Sequence, residues 1–223
     1  MTQPDRAILC ATLTLRKCDE ENFVAWHTRE HLPERLAIPG FLRGRRFECT
    51  DATRCYLILY DVESLSVLSR PDYLDRLNNP TIWTRAILPT FQDGRRAAYR
   101  LLAKAGNAEG AFVMMVSARP SDALELKKEI TPELLDGWCT RPGIARITFA
   151  EPDQTASMHV TEESRRSGNR FAEEWIILVE GISEEHLRDF ARNEFTASRC
   201  YSWGLAGHES WKTYGLQVSV AEV

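Results

Sequence analysis

The sequence predicts an α+β chain built from two successive β-α-β-β-α-β units. Two observations carry this expectation. The same order of β-rich and helix-period segments occurs twice along the 223 residues, and two short blocks recur. Pro39-Gly40 is matched by Pro142-Gly143, an offset of 142 − 39 = 103, and residues 55–61 (CYLILYD) by residues 174–180 (EWIILVE), an offset of 174 − 55 = 119. The difference, 119 − 103 = 16, locates an insertion within residues 152–170, whose polar composition reads as an exposed, mobile loop.

In the first unit, residues 7–15 (AILCATLTL) read as a strand and residues 19–36 as a helix ending at Pro39-Gly40. Strands follow at 41–49 and 55–62, then a helix over 64–77 that Asn78-Asn79-Pro80 breaks, and a closing strand over 96–102. In the second unit, residues 111–118 are the strand and 124–138 the helix. Arg141-Pro142-Gly143 is the break, strands cover 144–150 and 174–180, a helix covers 183–195, and 214–220 is the last strand. The expected division is 1–105, carrying the candidate pocket, and 110–223, mainly structural, joined by the polar stretch 104–110. Each unit is the ferredoxin-like arrangement, which leaves one sheet face uncovered by its own helices. Two such units packed face to face bury both.

Composition bounds the function. With 43% hydrophobic and 27% charged residues the chain can bury a sizeable core. No apolar run approaches the ~18 residues of a membrane span, and no basic-then-apolar leader opens the chain. Twenty-eight Lys and Arg against 32 Asp and Glu give a net charge of −4. These features predict a cytoplasmic protein with a small-molecule partner, no nucleic acid and no membrane. Six cysteines without a CxxC pair lack the zinc-ribbon and thioredoxin spacings and read as reduced thiols.

The first helix holds the candidate chemistry. At 3.6 residues per turn, Phe23, Val24, His27 and His31 share an arc with Trp26 and Glu30 beside it, while Leu32 and Leu36 lie toward another side. A half-buried histidine there has a pKa tuned by burial and by Glu30, and serves as base or acid near neutrality. The plainer reading is a boundary histidine that holds the helix in place. Pro33 removes a backbone donor, frees the carbonyl of Arg29 and predicts a helix distortion. His27-Thr28-Arg29-Glu30-His31 spells the H-x-x-E-H of some zinc proteases. With Pro33 in the next half-turn and no third ligand, no metal site is expected. Shifted by 103 or 104, His27 and His31 fall on Ile130 or Thr131 and on Leu134 or Leu135, so the second unit lacks both imidazoles.

Tyr56 and Tyr60 alternate on one strand, and Trp83 with Arg85 follows Asn-Asn-Pro. With Trp26 they are the candidate walls for a planar, mostly apolar ligand, although each alone is as readily a core filler. Arg43, Arg45 and Arg46 suit an anion anchor and, more commonly, a solvated strand edge. His208 and Trp211 stand in GHESWK, near the end of the second unit.

The motif Trp26-His27, Glu30-His31-Leu32-Pro33, then Ile38-Pro39-Gly40-Phe41 and the strand Tyr56-Leu57-Ile58-Leu59-Tyr60, resembles the dimeric α/β-barrel superfamily and, over about the first hundred residues, EthD-like proteins. The resemblance implies two ferredoxin-like repeats packed as an intramolecular barrel. It implies a cofactor-independent isomerase, cyclase, lyase or monooxygenase acting on a cyclic or aromatic metabolite, with His31 as base assisted by His27 or Glu30. It also implies two alternatives: a non-catalytic ligand-binding accessory protein, and a haem-binding barrel with His208 as a candidate axial ligand. A homodimer of the tandem unit is a further expected assembly. Fold alone does not choose among these.

Overall fold

The computed structural model describes residues 6–205 and 210–221. β1 (Ala7–Thr14) leads to α1 (Glu20–Trp26), a π turn (His27–His31) and α2 (Leu32–Leu36). β2 (Phe41–Cys49) and β3 (Cys55–Val62) are followed by a 3₁₀ turn (Leu65–Ser69), α3 (Pro71–Asn78), α4 (Ile82–Ile87) and β4 (Gln92–Ala105). Then come β5 (Phe112–Ala118), α5 (Ala123–Glu129), α6 (Pro132–Cys139) and β6 (Ile144–Asp153). α7 (Gln154–Ser157), α8 (Glu162–Ser167), β7 (Arg170–Phe171), β8 (Trp175–Gly181), α9 (Glu184–Glu194), α10 (Ala197–Ser202) and β9 (Ser210–Ala221) complete the chain. The class is α+β, as the sequence predicts.

Chain contacts define two units. One comprises the described residues up to Arg100, with Asp153–Ala172 and the described residues from Gln217 on; the other is Leu101–Pro152 with Glu173–Leu216. In the first, β1 pairs antiparallel with β3 and with β4, β2 pairs with β3, and β7 adds a short parallel pairing to β4. In the second, β5 pairs antiparallel with β8 and β9, and β6 with β8. Both sheets thus run fourth, first, third, second strand. The hairpins share a detail: a register shift lies between Phe41 and Arg43, and another between Ile144 and Arg146, each after a glycine at positive φ, Gly40 at 96° and Gly143 at 75°.

Strand periodicity decides what each face buries. Leu9 and Leu13 of β1 and Tyr56, Ile58 and Tyr60 of β3 join Phe23, Trp26, Leu32, Tyr73 and Leu77 in the core of the first unit. In the second, Met114, Val116, Phe149, Ile177 and Val179 join Leu126, Leu135, Trp138, Leu187 and Phe190.

Prolines and caps correct several sequence expectations. The helix expected over 64–77 begins only at Pro71, because the residue before a proline is driven to extended backbone and Arg70 has ψ 149°. The helix expected over 124–138 is two, because Pro132 takes the first helical position behind Thr131, whose hydroxyl accepts from the Leu134 N–H. α4 is new, capped by Thr81 accepting from the Thr84 N–H. The expected loop over 152–170 is not open coil: Asp153 caps α7, Thr161 and Ser164 form a capping box for α8, and Ala156, Thr161 and Glu163 are buried. Asp153, Thr161 and Ser164 serve as its caps. The six cysteines are all free. Among the described residues no helix is long and apolar enough to cross a membrane.

Gly44 brings the first helix onto its sheet. A Cβ there would lie 2.5 Å from Leu32 Cδ2 and 2.9 Å from Tyr60 Cε1, closer than van der Waals contact permits. Gly44→Ala is therefore expected to lower the stability of the chain by roughly 1–3 kcal/mol, the cost of overpacking a filled core. Urea unfolding measures this, and an unchanged midpoint contradicts the tight seat of α2.

Candidate active site

The first helix of the first unit is distorted where Pro33 stands. Proline has no N–H to give the carbonyl of Arg29, and the N–H of Leu32 reaches back five residues to the carbonyl of His27. The result is the π turn over His27–His31, a feature common at functional sites. His27 and His31 consequently face one another, ring centroids 5.6 Å apart, and His31 lies against Trp26 at 4.3 Å.

His27 is fully buried. Its Nδ1 lies 3.2 Å from Nη1 of Arg46 and its Nε2 lies 3.5 Å from the hydroxyl of Tyr60. A guanidinium can only donate, so Nδ1 accepts and the ring proton sits on Nε2, facing Tyr60. Burial first, then Arg46 and Arg35, hold the His27 pKa well below the ordinary histidine value. Burial raises that of Tyr60 above the usual phenol range. Arg46 is itself fixed by donating Nε to Gln217 and Nη1 to Thr28 and to the carbonyl of Val24. The solvated-edge expectation for the arginines of β2 thus fails at two positions, since Arg45 and Arg46 are each 3% exposed.

His31 is different. Its Nδ1 is buried and meets no hydrogen-bond partner among the described residues. Burial, then Arg35, His27 and Arg96, lower its pKa well below the ordinary value, so it is a neutral imidazole at pH 7. Arg35, also buried, gives Nη2 to both carboxylate oxygens of Glu163 at 2.6 Å, while its Nη1 has no acceptor within bonding distance; Glu34 Oε2 stands 3.7 Å away. Burial disfavours the Arg35 cation, and the Glu163 carboxylate outweighs that, so the guanidinium pKa is raised.

These groups line one cavity of about 320 Å³ within the first unit. Leu9, Leu13, Ile58, Leu77 and Phe91 supply apolar wall; Trp26, His27, His31, Arg35, Tyr60, Tyr73 and Arg96 supply the polar inventory. The insertion contributes Ser157, His159 and Glu163 to the same wall, and Phe171 follows directly after it. Arg96 donates to the Tyr73 hydroxyl at 2.6 Å and to the carbonyl of Ser157 at 3.3 Å.

Of the sequence-chosen residues, the cavity gathers His27, His31, Trp26 and Tyr60. Glu30 is committed elsewhere: its Oε1 accepts from Trp26 Nε1, Thr81 and Thr84, which ties the π turn to the start of α4. Tyr56 is buried and donates to Glu20, Trp83 donates to Asn22, and Arg85 is exposed; none of the three lines the cavity. Trp211 is 42% exposed on β9, and His208 lies outside the described residues. Among the described residues no group of three His, Cys, Asp or Glu side chains could hold a metal ion. Sequence reasoning missed Arg35, Tyr73, Arg96 and Glu163. Arg35, one helical turn beyond His31, had a signal in its spacing. Glu163 had none, because its place depends on how the insertion folds.

The comparisons bear on this geometry. No family model matches the chain, and no curated protein matches it in sequence. Solved structures do match. An anthrone oxidase-like protein aligns with TM-score 0.67 at 10% identity, over 98% of this chain and 94% of that one. A Lactobacillus acidophilus NCFM protein provisionally named a monooxygenase aligns at 0.62 and 10% identity, over 98% and 97%. A monooxygenase-like protein of Listeria innocua aligns at 0.53 and 9%, over 96% and 95%. The chain shares the fold of these structures. Likeness this distant speaks to fold and not to reaction.

Both histidines sit below their ordinary pKa near 6.5 in the folded chain. The sign follows: below about 6.5 the unfolded chain binds protons that the folded chain refuses, so stability declines as pH falls through that value toward the folded pKa. Urea midpoints measured between pH 8 and pH 5 are expected to drop on the acid side, and the drop to shrink in His31→Phe. An identical acid-side drop in the variant contradicts a neutral, buried His31.

Proposed function

We propose that the cavity of the first unit is the active site of a cofactor-independent oxygenase for a planar cyclic or aromatic small molecule, with His31 as the base. The observation that carries this reading is the unpartnered, buried nitrogen of His31 beside an apolar cavity. A neutral imidazole with no protein acceptor or donor is free to take a proton from a ligand. Its depressed basicity means the proton moves only if the anion left behind is stabilised at the same time. The Arg35 and Arg96 guanidiniums stand on the same wall for that purpose. His27, locked between Arg46 and Tyr60, positions the π turn. Glu30 does the same from the other side and is not proposed as a proton carrier.

The chemistry balances with dioxygen as the sole co-reactant. An activated CH₂ loses a proton to His31. The resulting carbanion, conjugated into the rings, reduces dioxygen and becomes a hydroperoxide at that carbon once the proton is returned. The hydroperoxide eliminates water and leaves a ketone, with one oxygen atom in the product and one in water. The name of the anthrone oxidase-like structural neighbour fits a substrate of this kind.

We also infer that the chain is a tandem duplication of one ferredoxin-like unit, the first carrying the site and the second mainly structural. Supporting this are the common strand order and the matched bulges: Arg43 faces Asp61 and Arg146 faces Glu180, offsets of 103 and 119 again. The EthD-like resemblance of the first unit belongs to the same proposal.

Oxygen uptake by the purified chain with anthrone as substrate tests the reaction. His31→Ala is expected to lower kcat by about 10²–10⁴-fold, the usual contribution of a general base. The wild-type rate should persist on acidification past pH 6.5. Ligand binding without oxygen uptake overturns the catalytic reading and leaves an accessory binding protein.

A further inference from the structure

We propose that this cavity selects planar ligands carrying one anionic oxygen, a carboxylate or a phenolate, held by Arg35 and Arg96. The inference rests on the reading of the cavity as the ligand site, and not on the reaction performed there.

Two features of the wall carry it. Nη1 of Arg35 is a buried donor nitrogen without an acceptor. Native proteins seldom leave such a group unmatched, and each one costs free energy that an arriving acceptor recovers. Glu163 does not satisfy it, because both carboxylate oxygens are spent on Nη2. That one-sided grip fixes the guanidinium plane, and the ring of Tyr73 lies 5.9 Å from its carbon.

Charge is the second feature. Arg35 is balanced by Glu163, but the partners of Arg96 are a hydroxyl and a carbonyl. No carboxylate among the described residues forms an ion pair with it. His27 and His31, their basicity lowered by burial, add no cation. The half-buried wall therefore holds one cation without a matching anion, in a setting where charge is weakly screened. A neutral ligand leaves this imbalance in place. A monoanion corrects it and supplies the acceptor that Nη1 lacks, and a flat ring system suits the Trp26, Phe91 and leucine surfaces beside it.

Isothermal titration of the full chain in oxygen-free buffer tests this with three probes of nearly equal shape: 2-naphthoate, 2-naphthol and the neutral 2-naphthamide. Naphthoate is expected to bind roughly tenfold or more tightly than naphthamide, as a charge-assisted hydrogen bond implies. Preference for naphthoate at every pH identifies a carboxylate site. Naphthol affinity that climbs as the phenol ionises, to exceed that of naphthoate, identifies a phenolate site. Arg96→Gln, which retains a donor for Tyr73, should bring anion affinity down toward that of the amide. Arg35→Gln should do likewise if circular dichroism finds it folded. Equal affinity for amide and anions, or binding of none of the three, overturns the proposal. Because no oxygen is present, that failure is separate from failure of the oxygenase reading.

Discussion

The buried ion pair between Arg35 and Glu163 is the contact on which the arrangement of the site depends. Removing a guanidinium and a carboxylate from water is costly, and their attraction offsets that cost only when the geometry is close. Here it is close, with both carboxylate oxygens 2.6 Å from a single nitrogen. The pair joins α2 to α8, so the inserted segment becomes cavity wall instead of solvent-exposed coil. The same contact determines which guanidinium nitrogen remains without a partner. Without Glu163, the nearest carboxylate to the buried Arg35 would be Glu34, at 3.7 Å, and α8 would lose its ion pair to α2.

The π turn is the second constraint, and it starts from one residue. Pro33 cannot donate, the helix takes a five-residue step, and the two imidazoles come onto one side. Trp26 and Glu30 then lock the turn from behind through Thr81 and Thr84. Arg46 locks it from the sheet side through His27. Each lock uses a polar group that would otherwise be buried unpaired, so the polar residues around His31 are accounted for by structure. His31 Nδ1 and Arg35 Nη1 are the remainder, together with Asn169 Oδ1 from the same cavity lining. That remainder, and not the presence of histidines as such, points to a ligand site.

This explains what was legible in the sequence. The α+β class, the places of the strands and the distortion at Pro33 follow from local rules of periodicity and backbone donors. So does the grouping of His27, His31 and Trp26. The losses have definable causes. Glu30 looked like a proton carrier because its spacing from His27 and His31 is right, but spacing says nothing of Thr81 and Thr84, which arrive from fifty residues away. Tyr56 alternates with Tyr60 and so shares its face, yet its hydroxyl lies at the other end of the strand, against Glu20. The insertion looked like coil because it is polar, yet the Asp, Thr and Ser within it are also residues that start helices. Arg35 was passed over in the sequence, because burying it depends on a carboxylate 128 residues further along.

Under the proposed duplication, the second unit supplies a comparison. Under the 103-residue offset that relates Gly40 to Gly143 and Arg43 to Arg146, the position of Arg35 is taken by Trp138. That indole is buried, packs on Phe190, Phe195 and Trp203 at 5.5, 5.7 and 5.8 Å, and gives its N–H to Glu194 at 2.8 Å. The same helix-on-sheet position is thus filled in one unit by a large apolar ring and in the other by a guanidinium that needs a distant carboxylate. His31 and Leu134 stand in the same relation. An apolar residue satisfies the fold at both positions without burying a charge or an unpaired imidazole nitrogen. The first unit retains the more costly pair, and stability does not call for it. The proposed ligand accounts for that pair, by meeting both nitrogens when it enters.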